Sequence, residues 1–162
     1  MNKEGSGCLV AIRARGSSGL RHQIEAALDD LGLKRRHQAI LLPDNPSTRG
    51  ALKRLKDTLI WGQATEEILT SLLHLRSKVP GSGRLTDTEA KKRLGVKDIK
   101  ALAKSLSTGE LKPQELRRRG LSTTFNLHSP KGGFRSLKRP AGKGGELGFR
   151  PESLKEVIRK MV

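Results

Sequence analysis

The 162-residue sequence contains no tyrosine, one tryptophan and three phenylalanines, so aromatic residues make up only 2% of the chain. This scarcity argues against an RNA-recognition sheet, which stacks bases on exposed aromatic rings, and against a single-strand channel lined by aromatic platforms. If the chain binds nucleic acid, we therefore expect it to contact the phosphates and sugars of a folded helix rather than a splayed strand.

Cysteine occurs once, at Cys8, which excludes an intrachain disulfide and a thiolate metal cluster. Its position at the head of an apolar segment predicts a small core residue. No segment approaches the roughly 18 consecutive apolar residues of a transmembrane helix, and the first residues lack the basic and apolar regions of a secretory signal. We therefore expect a soluble, unexported, cytoplasmic protein.

Acidic residues are few: 16 Asp and Glu stand against 33 Lys and Arg, which gives a formal net charge of +17. A chain of this charge repels itself and binds polyanions, with nucleic acid as the first candidate and an anionic membrane surface as the second. The hydrophobic content of 34% is enough for a modest core. The length indicates one domain, or one domain with an appendage.

Residues 1–64 show the order strand, helix, strand, helix, strand. Strands are predicted at 8–15, 39–42 and 59–63, with helices at about 24–31, closed by Gly32, and at 49–58. In the first strand Val10 and Ile12 fall on one face and Arg13 and Arg15 on the other, which predicts a basic outer face. Ser47 or Thr48 is expected to cap the second helix. The pattern favours an α+β fold with a ferredoxin-like β-α-β-α-β core.

Residues 65–162 are predicted to add helices, a basic glycine-rich loop and a C-terminal helix packed on this core. A leucine-rich helix follows Thr65 and ends at Pro80-Gly81-Ser82-Gly83, and Thr86 with Glu89 has the spacing of a capping box. Another helix carries Ile99, Leu102 and Leu106, and Pro113 begins a brief one. Short strands at 124–128 and 146–149 flank the loop, and a closing helix starts at Pro151 with Leu154, Val157, Ile158 and Met161 inward.

The segment 117–150 holds nine basic residues and one acidic residue, so nearly half of the net charge lies in about a fifth of the chain. Glycine and proline crowd residues 130–145, which are too poor in apolar side chains to fold alone. We expect this loop to be the part of the chain that orders on a partner. Its glycines let the backbone approach RNA closely.

No catalytic or metal-binding pattern is present. The four histidines are scattered, and residues 142–145 lack the flanking strand and helix of a phosphate-binding loop. Two Gly-x-x-Gly strings, at 16–19 and 142–145, fit one RNA-binding loop but are better interpreted as turns. Residues 86–106 imitate a DNA-binding helix-turn-helix, with Gly95 in the turn, and this stays an alternative.

Short strings spread in order over nearly the whole chain point to one family. They are Pro43, Asp44, Pro46, Arg49 and Gly50, then Trp61-Gly62, Leu127-His128, Gly133-Phe134 and Gly145-Glu146-Leu147-Gly148. Their order and spacing resemble the archaeal large-subunit ribosomal protein family called L-thirty in bacteria and L-seven in eukaryotes. The length and the helical segment are similar to the archaeal members. The resemblance implies the same β-α-β-α-β unit.

The resemblance implies a non-catalytic constituent of the large ribosomal subunit that stabilises folded ribosomal RNA. Its expected partners are the large-subunit RNA, nearby 5S ribosomal RNA and neighbouring ribosomal proteins, with no cofactor, metal, membrane or homo-oligomer. Arg49 is the first candidate contact, because it matches the motif and opens a helix whose amide donors favour phosphate. The resemblance adds His128. The full expected set is Arg13, Arg15, Arg35, Arg36, Arg49, Lys53, Arg54, Arg118, His128, Lys131, Gly132, Gly133, Phe134, Arg135, Lys138, Arg139 and Lys143.

Two other hypotheses remain beside the ribosomal one. A DNA-binding regulator would use residues 86–106 and prefer a duplex DNA site, and an RNA-processing enzyme would show turnover. A ribosomal constituent would instead sediment with the large subunit.

Overall fold

The fold is built around a five-stranded sheet, in a computed structural model that describes residues 7–79, 81, 83–151 and 153–162. The strands are β1 (Cys8–Arg13), β2 (Gln38–Pro43), β3 (Leu59–Gln63), β4 (Lys78–Val79), β5 (Gly83–Arg84), β6 (Thr124–Asn126) and β7 (Gly148–Phe149). The helices are α1 (His22–Asp30), α2 (Pro46–Arg54), α3 (Glu66–Arg76), α4 (Asp87–Leu94), α5 (Ile99–Thr108), α6 (Pro113–Arg118) and α7 (Leu154–Met161).

The sheet has the order β6-β2-β1-β3-β7, while β4 and β5 form a separate hairpin. The central strand β1 runs antiparallel to both β2 and β3. At the edges, β6 pairs antiparallel with β2 and β7 pairs parallel with β3. The α+β, ferredoxin-like class predicted from the sequence is confirmed. Residues beyond position 65 also supply both edge strands of the sheet.

Apolar side chains cover both faces of the sheet, because consecutive residues of a strand point to opposite sides. On one face Leu9 and Ala11 of β1 join the apolar cluster of α1 and α2. On the other face Cys8, Val10 and Ile12 join a larger cluster with the helices that follow residue 65. The expected half-exposed first strand is therefore wrong: all six residues of β1 are buried.

The helix α2 begins earlier than the sequence pattern predicted. Asn45 occupies the N-cap position and Pro46 the first turn, so the expectation that Ser47 or Thr48 caps this helix is wrong. Proline fits there because the first helical N–H groups need no acceptor within the helix. The helix ends at Arg54, four residues before its expected end, and Leu55 continues the buried face that Leu52 begins.

Residues 77–85 hold a hairpin that the sequence pattern did not predict. The helix α3 ends at Arg76, and β4 and β5 follow directly. The sequence pattern predicted that this helix ends at residues 80–83, and positions 80 and 82 of that range lie outside the described residues. Leu75 of α3 is 42% exposed and does not belong to the buried face.

The remaining helices follow their sequence signals closely. The hydroxyl of Thr86 accepts a hydrogen bond from the backbone N–H of Glu89, which is one of the two bonds of a capping box. Pro113 lies in the first turn of α6. The inward residues predicted for the last helix are buried, although α7 starts at Leu154 rather than at the predicted Pro151. The strands β6 and β7 are each two residues shorter than predicted.

Candidate nucleic-acid interface

Arg13, one of the predicted RNA contacts, is only 1% exposed. Its Nη1 donates to the carbonyl oxygens of Leu33 at 2.7 Å and Lys34 at 3.0 Å, and its other nitrogens donate to the carbonyl of Arg15 and the hydroxyl of Ser17. The guanidinium thus satisfies backbone carbonyls beside α1 because helices cover both faces of β1. The predicted exposed face is wrong for Arg13, which we remove from the set of contacts, while Arg15 is exposed just past the strand.

The basic loop, defined as residues 129–147 between β6 and β7, follows a path held by backbone hydrogen bonds. The N–H of Lys131 donates to the carbonyl of Lys160 in α7 at 3.0 Å, and the N–H of Glu146 donates to the carbonyl of Ser136 at 3.0 Å. Beyond the loop, the N–H of Arg150 donates to the carbonyl of Trp61 in β3 at 2.8 Å. The loop is therefore attached both to the last helix and to the edge of the sheet.

Gly145 closes the loop at a point where no other residue fits. Its N–H donates to the carbonyl of Pro140 at 3.0 Å, and a Cβ at this position would collide with the carbonyl oxygen of Arg139. At Gly142, three residues earlier, a Cβ would meet nothing within 4 Å. The glycine-rich composition thus has a structural role at position 145 and leaves open space at position 142.

The cationic side chains of the basic loop point into solvent. The exposed residues of this group are Lys131, Arg135, Lys138, Arg139 and Lys143. They are joined by Gly132 and Gly133, both exposed and both with positive φ, which make a tight turn that the N–H of Gly133 closes on the carbonyl of Pro130. Exposed cations on a backbone that follows a defined path are suited to binding phosphates.

Phe134 of the loop stacks on His37, with the ring centroids 5.9 Å apart and an interplanar angle of 18°. His37 is the one non-glycine with positive φ in the described part of the chain, and its N–H and carbonyl bond to the backbone of Arg13 and Leu127. The contact brings the exposed Arg35 and Arg36, which directly precede His37, beside the basic loop.

Burial lowers the pKa of His37 below its ordinary value, and the positive charge of Arg36 lowers it further. The neutral imidazole is therefore the form that the fold favours. His37 supports the stacked ring as an uncharged side chain and adds no positive charge for phosphate at neutral pH.

Arg49, the first candidate from the sequence, forms a bidentate ion pair with Asp44, with nitrogen to oxygen distances of 2.6 and 2.8 Å. The Asp44 side chain is 3% exposed and that of Arg49 is 33% exposed. The guanidinium of Arg49 is consequently held in place at the first turns of α2, where it is paired with the charge of Asp44. Lys53 and Arg54, further along α2, are exposed.

A groove of about 470 Å³ separates α2 from the basic loop. Arg49 and Lys53, together with Lys56 just after the helix, line one side, and residues 140–142 line the other. Trp61 of β3 and Phe149 of β7 also line it, with their ring centroids 4.7 Å apart. We call this cleft the α2–loop groove. It brings together two cationic segments that are nearly ninety positions apart in the sequence.

Phe149 is not among the functional residues predicted from the sequence. The signal was present but weak: Phe149 is one of only four aromatic residues, and it follows the Gly-Glu-Leu-Gly string. Its parallel pairing with Trp61 follows from the strand register, which a single sequence does not reveal. His128 and Arg118 are exposed and do not line the α2–loop groove.

The helix pair predicted at 86–106 forms, but as a layer of the core. Gly95 adopts a left-handed conformation between α4 and α5, and Ile99, Leu102 and Leu106 are buried. Nη1 of Arg119 donates to the carbonyl of Leu94 at 3.0 Å, so the last carbonyl of α4 has a hydrogen-bond donor. The buried face of α5 thus belongs to the core, and nothing in this geometry favours a DNA duplex.

Within the described ranges, no three His, Cys, Asp or Glu side chains are grouped so that they could hold a metal ion. No helix among the same residues is long and apolar enough to cross a membrane.

The chain matches the family described as Ribosomal protein L30p/L7e over residues 9–59. It is 34% identical to the Large ribosomal subunit protein uL30 of Methanosphaera stadtmanae over 151 residues, which cover 93% of this chain and 97% of the relative. It is 36% identical to the protein of that name from Aeropyrum pernix over 155 residues, 94% of this chain and 98% of the relative. It is 30% identical to the protein of that name from Thermoplasma acidophilum over 154 residues, which cover 95% of this chain and 92% of the relative.

Proposed function

Because the chain belongs to the ribosomal protein L30p/L7e family, we infer that it is a structural constituent of the large ribosomal subunit in the cytoplasm. In this role it binds ribosomal RNA, contacts neighbouring ribosomal proteins and stabilises the folded architecture of the particle. The observation that carries the RNA-binding role is that the basic loop, whose Lys and Arg side chains are exposed, lies across one groove from the cations of α2 on a backbone fixed to the sheet.

The binding mode that fits this arrangement is phosphate and shape recognition. Each Lys or Arg that meets a phosphate releases condensed counterions, so the affinity depends steeply on salt and little on sequence. A-form RNA offers phosphates and 2′-hydroxyl groups on an accessible surface, whereas its deep groove is closed to side chains. The exposed Lys and Arg side chains of the basic loop are suited to contacts with this accessible surface.

The contacts that we propose are the exposed members of the predicted set together with the half-buried Arg49 and Phe134. Phe134 acts through His37, because their stacking positions the turn at Gly132 and Gly133. Arg49 contributes the part of its side chain that stays exposed beside Asp44. We also propose that the chain performs no catalysis, needs no cofactor, acts as a single copy and lies near 5S ribosomal RNA.

Sedimentation tests the role directly. Native lysate fractionated on a sucrose gradient at moderate salt should place the chain with the large subunit, and a moderate salt wash should leave it there. A chain found at the top of the gradient or with DNA would overturn the assignment and favour a regulator built on residues 86–106.

A variant series tests the interface. Changing Lys131, Arg135, Lys138 and Arg139 together to Gln should weaken binding to large-subunit RNA. The slope of log K against log salt should fall by about 3, because each phosphate that is no longer neutralised lowers it by about 0.7 to 0.9. The matched control changes four exposed lysines of the helical layer, Lys91, Lys92, Lys100 and Lys104, to Gln and removes the same charge. Equal effects in the two variants would mean that the basic loop has no particular role in RNA binding.

A further inference from the structure

The α2–loop groove holds two of the four aromatic side chains of the protein. Trp61 is 6% exposed, and the Phe149 ring beside it is 48% exposed. Among the described residues, the large apolar side chains with substantial exposure are Leu75 and Phe149. A single exposed apolar side chain is ordinary in a soluble protein, so exposure alone assigns nothing to Phe149. The residues that line the groove around Phe149 are more specific.

Cations line the groove that holds this ring. They are Lys53, Lys56 and Arg49, which is paired with Asp44, and Asp57 is the acidic residue of the lining. The groove therefore offers an aromatic face together with an excess of positive charge. A nucleotide has the complementary chemistry, because its base stacks on an aromatic ring while its phosphates pair with Lys or Arg. An apolar side chain of another protein would use the ring and leave the cations unmatched.

The wall opposite α2 leaves room for such a guest. Gly142 and Gly148 line it, and a Cβ built at either position would meet nothing within 4 Å. The volume of about 470 Å³ falls within the range of about 300–1,000 Å³ that is typical of small-molecule sites. A cleft of this size accepts one nucleotide rather than an RNA helix.

We propose that one unpaired nucleotide of ribosomal RNA inserts into the α2–loop groove, with its base against Phe149 and its phosphates on Lys53 and Lys56. This proposal rests on the proposed function, since it specifies one contact within the RNA interface. It is also compatible with the scarcity of aromatic residues, which argues against a splayed strand but leaves room for a single stacked base.

Trp61 supplies the readout, because it is the only tryptophan of the chain and lines the groove. The full-length protein is titrated with large-subunit ribosomal RNA and, separately, with heparin, a polyanion without bases. We expect the RNA to quench Trp61 fluorescence with the same midpoint as binding. Heparin should also bind, which is measured by its salt-dependent competition with RNA. It should leave the fluorescence of Trp61 unchanged.

Phe149→Leu removes the ring and keeps an apolar side chain in its place. It should weaken RNA binding about 5- to 150-fold, the loss expected for one stacked base, with an unchanged salt slope. Lys53→Gln with Lys56→Gln should retain the quenching and reduce the salt slope by about 1.5. Leu75→Ala is the matched control, an exposed apolar residue outside the groove, and should change neither quantity.

Gly142→Leu provides a second route that leaves the aromatic pair intact. The added side chain occupies the open wall of the groove, so it should abolish the quenching and lower RNA affinity while the thermal midpoint stays close to that of the parent.

The outcomes distinguish a failure of base insertion from a failure of RNA binding. If RNA binds without quenching and Phe149→Leu keeps the parental affinity, base insertion is overturned while RNA binding stands. If heparin quenches as RNA does, the groove responds to charge alone and base insertion is likewise overturned. If Phe149→Leu affects only incorporation beside neighbouring ribosomal proteins, the occupant is a protein side chain. If the protein does not bind the RNA at all, the proposed function itself fails.

Discussion

Arg49 binds both carboxylate oxygens of Asp44: Nε donates to Oδ1 at 2.6 Å and Nη2 to Oδ2 at 2.8 Å. Asp44 follows the end of β2, and Arg49 lies in α2, so the ion pair spans the turn that joins the two elements. The buried carboxylate depends on this partner, because an unpaired charge in a desolvated position is costly.

The ion pair predicts unequal effects of its two single substitutions. Arg49→Ala leaves the carboxylate without this partner and should destabilise the fold by about 1–3 kcal/mol, less than a fully buried pair because Arg49 is partly exposed. Asp44→Asn, which keeps the shape and removes the charge, should cost less. Urea unfolding of both variants and of the double variant measures the coupling, and additive effects would show that the pair contributes no interaction energy.

Gly145 and Gly142 predict opposite responses to the same substitution. Gly145→Ala forces a Cβ against the carbonyl of Arg139 and should open the basic loop, which lets the backbone after Lys138 and Lys143 take the extended form that trypsin cleaves. Gly142→Ala meets open space and should leave the cleavage rate within about twofold of the parent. Limited proteolysis followed by mass spectrometry compares the two, and equal cleavage rates would contradict the structural requirement at position 145.

Cys8 should be nearly inert to alkylation in the native protein. Burial raises the pKa of its thiol to about 12, and the negative charge of Asp44 acts in the same direction. At pH 8 the thiolate is then on the order of 10⁻⁴ of the population, against about a quarter for an ordinary cysteine. Iodoacetamide should react slowly until urea unfolds the chain, and Asp44→Asn should raise the native rate. Native labelling as fast as that of unfolded protein would exclude this thiol environment.

His37 predicts a loss of stability in mild acid. Its pKa is lower in the folded protein than the ordinary value of about 6.5 that the unfolded chain has, so the unfolded state binds more protons as the pH falls. This contribution to stability is complete above about pH 6.5 and declines as the pH falls through the folded-state pKa. His37→Asn, which tolerates the positive φ, should flatten the dependence between pH 7.5 and pH 5 in urea unfolding. An unchanged slope in His37→Asn would contradict this account.

Local signals in the sequence predict most of the fold because they act over a few residues. The strand at 59–63, the capping box at Thr86, the proline of α6 and the inward residues of α7 all depend on neighbours within one or two turns. The hairpin of β4 and β5 consists of two-residue strands, too short for a recognisable alternation. The N-cap at Asn45 was not predicted because Ser47 and Thr48 are comparably good caps and only the backbone conformation decides between them.

The candidate site was less predictable, since it depends on which elements pack together. Arg13 alternates like an exposed strand residue, yet a helical layer on each face of β1 leaves that strand no exposed side. The α2–loop groove requires the parallel pairing of β3 with β7, which joins residues nearly ninety positions apart. The basic loop, in contrast, is predictable from its number of Lys and Arg residues. Cationic side chains that bind a partner stay exposed, whichever elements of the chain pack together.

The pairing of β7 with β3 also dictates when the interface becomes complete during synthesis. The chain emerges from the N-terminus, so α2 and β3 are available long before Phe149 and the helix that holds Lys131. Until those last segments arrive, the groove has one wall and the basic loop has no anchor on the sheet. A growing chain therefore lacks the finished surface, and only a nearly full-length protein presents it to RNA.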